Sequence, residues 1–133
     1  MKGRSLILAA LLATSAICFA KANGAWLKSV PQKDHNRVNP YVGNPNAIAA
    51  GANLFQNNCA KCHGDNAQGK GSRPSLRSER IQNATDGDLA WILKNGSVFH
   101  GMPRWSGLPE QQRWQIVAYI RSLNAVQSTA VQQ

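Results

Sequence analysis

Apolar residues recur at helical spacing in three stretches of the chain, and each stretch predicts one helix. In the first, from Asn46 to Asn58, apolar side chains at spacings of 4, 3 and 4 share one helical face. They are Ile48, Ala52 and Phe55, with Cys59 directly after the stretch. Pro45, just before this stretch, suits the first turn of a helix, where no backbone N–H is needed.

The second and third helices are marked by their ends as well as by their apolar residues. The second begins at Thr85, which with Asp88 forms a start resembling a capping box, and stops at Asn95-Gly96, where glycine supplies a left-handed cap. The third begins at Pro109, and its apolar face is formed by Ile116, Tyr119, Ile120 and Leu123.

No stretch alternates like a β-strand, and no segment repeats, so the sequence predicts an all-α domain of three or more helices. Long loops rich in Gly, Pro, Ser and Arg join them, from Gly64 to Asn83 and from Gly96 to Leu108. Loops of that length are uncommon in compact domains unless they serve a function. We therefore expect these loops to wrap a functional site.

The first residues have the composition of a secretory signal peptide. Lys2 and Arg4 form a basic start, an apolar run follows from Leu6 to Ala20, and Ala20 or Ala22 suits the cleavage position. The run is shorter than the roughly 20 residues that a membrane-spanning helix needs, which favours cleavage over a membrane anchor. We therefore expect a periplasmic protein with no membrane span after cleavage.

The remainder divides by composition. The segment after the signal peptide is polar and interrupted by prolines, which predicts an extended arm. The predicted signal peptide, extended arm, helical domain and flexible tail span residues 1–22, 23–45, 46–124 and 125–133.

Length and charge narrow the class of protein. A chain of 133 residues with 43% hydrophobic residues suits one small globular domain and excludes a large two-domain enzyme. The net charge of +9 invites a nucleic-acid interpretation, but the basic residues are dispersed rather than clustered. Cleavage after Ala22 would leave 12 basic residues against 6 acidic ones, a charge of +6. A positive charge spread over the surface favours encounter with acidic proteins. We therefore expect no nucleic-acid partner.

The segment from Cys59 to His63 reads Cys-Ala-Lys-Cys-His, the attachment signature of c-type haem. Two thiols at this spacing can each form a thioether with one vinyl group of a single porphyrin, and His63 is then held beneath the iron as its proximal ligand. Structural zinc would need further ligands, and no second cysteine pair is present. A redox dithiol would need a βαβ context. A plain Cys59–Cys62 disulfide is the third alternative.

A six-coordinate haem needs a second axial ligand. After cleavage the remaining sulfur and imidazole donors are His35, His100 and Met102. Met102 lies in Gly101-Met102-Pro103, where glycine permits close approach of the backbone and proline fixes the chain direction. We therefore expect Met102 to be the distal ligand, with His100 as the second candidate.

The haem motif followed by Gly-Met-Pro resembles the class I c-type cytochromes, over roughly Asn46 to Leu123. This resemblance implies the cytochrome c fold around one covalently bound haem c with its iron, held by Cys59, Cys62, His63 and Met102. It implies that Gly51 and Phe55 of the first helix dock against Tyr119 of the last. It also implies that the Pro74 carbonyl oxygen binds the ring of His63, although Arg73 replaces a glycine that the family often has before this proline.

Function follows from the resemblance as an expectation. A His/Met-ligated haem is typical of a monomeric one-electron carrier that is not an enzyme. The expected donor is a periplasmic dehydrogenase and the expected acceptor a terminal oxidase. Residues Arg73 to Gly87 and Gly101 to Leu123 also resemble cytochromes that accompany pyrroloquinoline-quinone alcohol dehydrogenases. The alternatives are a haem subunit of a dehydrogenase complex, and a haem enzyme or gas binder whose Met102 dissociates.

Other residues are candidates for the surroundings of the haem. Four loop arginines are candidate partners for the haem propionates: Arg73, Arg77, Arg80 and Arg104. The alternative for each is a solvated side chain with no such role. The expected apolar walls are Leu76, Ile81, Leu89, Ile92, Leu93 and Trp105.

Overall fold

The described residues are 24–130 in the computed structural model of the protein, so the predicted signal peptide and the last three residues of the predicted tail lie outside them. Within that range the chain is all-α, as predicted, and its only β-type pairing consists of two isolated bridges. The six α-helices, α1 to α6 in chain order, are Gln32–His35, Pro45–Asn58, Ala60–His63, Glu79–Asn83, Asp86–Asn95 and Glu110–Ala130. Two 3-10 helices span Ala25–Ser29 and Val98–His100.

Helices α2 and α6 cross closely and hold the fold together. Gly51 is buried where α2 meets α6, and one turn later the Phe55 ring packs on that of Tyr119, with ring centroids 5.2 Å apart. Phe55 is fully buried. These contacts confirm the expected docking of Gly51, Phe55 and Tyr119.

The ends of α5 follow the local sequence. The Thr85 hydroxyl accepts from the backbone N–H of Asp88, whose carboxylate accepts from the N–H of Thr85, and this confirms the capping box. Gly96 ends the helix with φ 68°, but its ψ of −174° is extended. The predicted left-handed cap is therefore wrong in ψ, because the chain turns directly into the loop that pairs Ser97 with Met102.

The arm is more structured than the predicted extended segment. Its 3-10 turn and α1 place Asp34 against α5, where a Cβ at Gly87 would lie 1.9 Å from the Asp34 carbonyl oxygen. Trp26 and Tyr41 are partly buried against the main apolar cluster. Because the arm finds apolar and backbone partners on the domain, it folds into short turns rather than remaining extended.

Three further features lie outside the periodic pattern. The short helices α3 and α4 were not predicted, and α6 continues to Ala130, six residues into the segment predicted as a tail. A separate finding concerns membranes: none of the helices formed by residues 24–130 is long and apolar enough to cross a lipid bilayer.

Candidate functional site

The haem motif forms a single tight turn at the end of α2. Cys59 ends α2 and precedes α3, and the backbone N–H groups of Cys62 and His63 both donate to its carbonyl oxygen, at 3.1 and 2.9 Å. The turn therefore brings both thiols and the imidazole together within five residues. The two cysteines are not joined in a disulfide.

The two thiols differ in environment. Cys59 is buried, with 8% of its surface exposed, whereas Cys62 is exposed. Burial, assisted by the neighbouring Cys62, raises the pKa of the Cys59 thiol to about 11. Cys59 is therefore a protonated, sheltered thiol at neutral pH.

His63 is prepared to act as a ligand through one defined nitrogen. Its Nδ1 lies 3.0 Å from the carbonyl oxygen of Pro74, which confirms the expected contact. A carbonyl oxygen can only accept, so Nδ1 carries the proton and the lone pair is on Nε2. Burial lowers the pKa of His63 and the charge of Arg73 acts in the same direction, against the opposing effect of the Pro74 hydrogen bond. The ring is therefore held neutral and oriented.

Met102 lies on a small loop closed at its base. Ser97 and Met102 exchange two backbone hydrogen bonds of 2.9 and 3.0 Å, and Gly101 turns the chain with φ 74°. The Met102 side chain is partly buried and packs on the main apolar cluster. The Arg73 guanidinium donates to the carbonyl oxygen of His100 at 2.5 Å, so the structure brings this loop to the one containing Pro74.

The other two histidines have partners of their own. The exposed ring of His100 lies 2.9 Å from the Ser97 hydroxyl, through Nδ1. His35 is on the arm, where its Nδ1 lies 2.9 Å from the buried carboxylate of Asp88. The sequence did not predict either contact, since both depend on the folding of loops.

The loop arginines have distinct surroundings. Arg77 donates to the carbonyl oxygens of Asn66 and Leu123, at 2.6 and 3.2 Å. Arg80 is exposed and engaged in an interaction, and Arg104 is exposed. Two of the four propionate candidates, Arg73 and Arg77, therefore have guanidinium groups that already bind backbone carbonyls.

The donor set and the apolar side chains beside it fit a haem. Two neighbouring thiols, an imidazole with a free Nε2 and a thioether are the groups that a covalent haem c requires. Of the expected apolar walls, Ile81, Leu89, Ile92 and Leu93 are buried, and Leu76 and Trp105 pack partly buried on the main cluster. Within residues 24–130 no group of three or more His, Cys, Asp and Glu could hold a bare metal ion, as a zinc site would require.

Comparison with known proteins finds similarity to cytochromes, in agreement with the donor set of the site. Residues 46–120 match the family described as Cytochrome C oxidase, cbb3-type, subunit III. The chain is 33% identical over 92 residues to Cytochrome c550 of Pseudomonas aeruginosa, a match covering 64% of this chain and 61% of that protein. It is 39% identical over 87 residues to Cytochrome c-554(547) of Halothiobacillus neapolitanus, covering 56% of this chain and 94% of the relative.

A solved structure is also similar. Cytochrome CL from the methylotrophic bacterium Methylophaga aminisulfidivorans has a TM-score of 0.57 and 31% identity, and the match covers 64% of this chain and 58% of that one. The chain thus spans about three fifths of the length of Cytochrome c550 and of Cytochrome CL.

Proposed function

Because this chain belongs to the cytochrome c family described as cbb3-type cytochrome c oxidase subunit III, and is a class I c-type cytochrome, we propose that it is a periplasmic one-electron carrier. Its cofactor is a covalently bound haem c with iron. The observation that carries the proposal is the turn of Cys59, Cys62 and His63, in which Pro74 holds the imidazole with Nε2 free. The bound haem supplies an iron that can change oxidation state by one electron.

The proposed anchors and ligands each have a separate task. Cys59 and Cys62 form the two thioethers, His63 provides the proximal nitrogen and Met102 the distal sulfur. The hydrogen bond from His63 to Pro74 keeps the ring in one orientation and increases the basicity of the opposite nitrogen. The Ser97–Met102 backbone pair sets the starting position of the methionine side chain.

Occupation of both axial positions favours electron transfer over bond-making chemistry. With His63 and Met102 both holding the iron, no position on it would be open to oxygen or peroxide, and the haem would supply one-electron chemistry with little rearrangement. A thioether ligand and an apolar surrounding also raise the reduction potential. The competing function, peroxidase-like or gas-binding chemistry, would require Met102 to dissociate readily.

The surface beside Met102 supports transient docking of a redox partner. Phe99 is 99% exposed and Val98 51% exposed, and both lie on the loop that carries Met102. Arg104 is exposed two residues after Met102, and Lys61 is exposed within the haem motif. An apolar patch with positive neighbours suits an acidic protein surface and a short-lived complex.

Export and redox partners complete the proposal. We propose that residues 1–22 are removed on export, that a periplasmic dehydrogenase donates the electron, and that a terminal oxidase accepts it. The oxidase assignment is supported by the family description, which is that of an oxidase subunit. A quinoprotein alcohol dehydrogenase as donor rests on the sequence resemblance alone. The second candidate is a haem subunit tethered to a larger dehydrogenase, and a secreted protein that keeps residues 1–22 would favour it.

Spectroscopy of the purified, oxidised protein tests the ligand set. We expect the weak near-infrared band of a methionine–Fe(III) bond, lost in Met102→Ala and retained in His100→Ala. Retention of the band in Met102→Ala contradicts the assignment, and rapid binding of carbon monoxide by the ferrous protein favours the gas-binding alternative. The mass of the secreted protein reports both the cleavage position and the covalent haem.

A further inference from the structure

We propose that Arg73 is a positioning residue that ties the Met102 loop to the loop that orients His63, and thereby keeps the distal sulfur at the iron. This inference rests on the proposed function, because it takes His63 and Met102 as the axial ligands. It adds a residue that acts on both sides of the site without being a ligand itself.

The contacts of Arg73 on the Met102 side are specific. Its Nη1 donates to the carbonyl oxygen of His100 at 2.5 Å, two residues before Met102. The guanidinium also lies against Gly101, where a Cβ would stand 2.7 and 2.8 Å from its two terminal nitrogens. The glycine next to the ligand therefore leaves room for the arginine as well as permitting the turn.

On the His63 side of the site, Arg73 directly precedes the residue that contacts the imidazole. The next residue, Pro74, supplies the carbonyl oxygen that accepts from His63 Nδ1 at 3.0 Å. The backbone N–H of Arg73 donates to Lys70 at 2.9 Å and closes a turn that fixes where the side chain starts. One dipeptide thus contacts the proximal ligand through its backbone and the distal loop through its side chain.

The tip of the Met102 loop is otherwise held by bonds within the loop, from the His100 N–H to the Ser97 carbonyl oxygen at 2.9 Å and from the Gly101 N–H to that of Val98 at 3.0 Å. Ser97 and Met102 hold the base of the loop, but Val98, Phe99 and His100 are all exposed. The arginine contact reaches the tip from a residue 27 positions earlier in the chain. A charge-assisted hydrogen bond from a permanently charged, forked donor is well suited to hold a backbone carbonyl in place.

Loss of the tie has a measurable consequence for ligand exchange. An added ligand such as imidazole can bind the ferric iron only in molecules whose Met102 has left it. The apparent Kd for imidazole is therefore the intrinsic Kd divided by the open fraction. A larger open fraction appears directly as a tighter apparent Kd.

The test is an imidazole titration of the oxidised holoprotein, followed by loss of the near-infrared methionine–Fe(III) band. In Arg73→Gln we expect the apparent Kd to fall about fivefold, because this charge-assisted bond is exposed to solvent and so contributes about as much as one ordinary hydrogen bond. Arg73→Lys keeps the charge but not the forked donor, and we expect a shift in the same direction. Lys70→Gln is the matched control, because it removes one positive charge from the same loop, and we expect the native Kd.

Each outcome has a defined meaning. A native Kd in both Arg73 variants overturns the inference, as does an equal shift in Lys70→Gln, which would indicate a general charge effect. If Arg73→Gln does not accumulate as folded holoprotein, Arg73→Lys decides by the same comparison with Lys70→Gln. Absence of the near-infrared band from the native protein, or its survival in Met102→Ala, overturns instead the proposed ligand set.

Discussion

Gly51 on α2 lies so close to α6 that a Cβ at this position would stand 2.0 Å from the carbonyl oxygen of Gln115. The neighbour is backbone and cannot rotate away, so any side chain at position 51 must push the two helices apart. The ring pair of Phe55 and Tyr119 depends on the same spacing.

We therefore expect Gly51→Ala to lower the free energy of unfolding by about 3 kcal/mol or more, at the upper end of overpacking effects. Gly107→Ala is the control, because no heavy atom lies within 4 Å of a Cβ there and the backbone needs no positive φ. We expect it to change stability by less than about 0.5 kcal/mol. Denaturant unfolding of the two holoproteins checks this, and similar midpoints would contradict the close approach.

The Asp88 side chain joins two separate elements, α5 and the N-terminal arm. Its buried carboxylate caps α5 through the N–H of Thr85 and also contacts His35 on the arm. We expect Asp88→Ala to cost about 2 kcal/mol, since it removes a cap and leaves a polar group unpaired. His35→Ala should cost about 1 kcal/mol or less, because the carboxylate keeps its bond to the helix. An equal loss of thermal stability in both variants would show that the cap contributes nothing.

Arg121 connects α6 to α4, to the start of α5 and to the short link between them. Its guanidinium donates to Asp86 at 2.6 Å and to three backbone carbonyl oxygens, those of Ile81, Gln82 and Ala84. Lysine cannot reproduce this planar set of donors, so Arg121→Lys should cost about 2 kcal/mol.

The matched control is Arg37→Lys. Arg37 also pairs with an acid, Glu110, but the two side chains are 43% and 51% exposed. Exposed pairs of this kind contribute about 1 kcal/mol or less. Urea unfolding of both variants compares their free energies of unfolding directly. A larger loss of stability for Arg37→Lys would contradict the greater contribution expected of Arg121.

Glu110 gives stability a small pH dependence. The hydrogen bond from Arg37 holds the pKa of this carboxyl below its ordinary value of 4.5. The charged pair therefore stabilises the fold above pH 4.5, and this contribution is lost as the pH falls through the lower folded-state pKa. We expect Glu110→Gln to be slightly less stable than the native protein at pH 7 and equal to it in strong acid. A difference that persists at low pH, or that resists added salt at neutral pH, would contradict this origin.

The main helices could be predicted because their signals are local. Apolar spacing marked α2, and the reciprocal cap of Thr85 and Asp88 marked the start of α5. Helices α3 and α4 have four and five residues, too few to show a period. The continuation of α6 to Ala130 was missed because the residues after Leu123 are mostly polar or small, although Val126 and Ala130 continue the spacing of Tyr119 and Leu123.

The site divides in the same way. The pattern from Cys59 to His63 is readable because attachment of both thioethers requires neighbouring residues, and the contact of His63 with Pro74 was expected only from a family resemblance. The bond from Arg73 to His100 joins two irregular loops. No periodicity or composition encodes such a contact, since it depends on how distant segments meet.

The burial of Cys59 sets an order in time. In the folded chain Cys59 is 8% exposed, and burial raises the pKa of its thiol to about 11, so the reactive thiolate is scarce at pH 7. Phe55 and Leu123 belong to the same buried apolar cluster as Cys59. If Cys59 is an anchor, its thioether has to form on a chain that is still open. Folding then comes after attachment, as the last step in the biogenesis of the holoprotein.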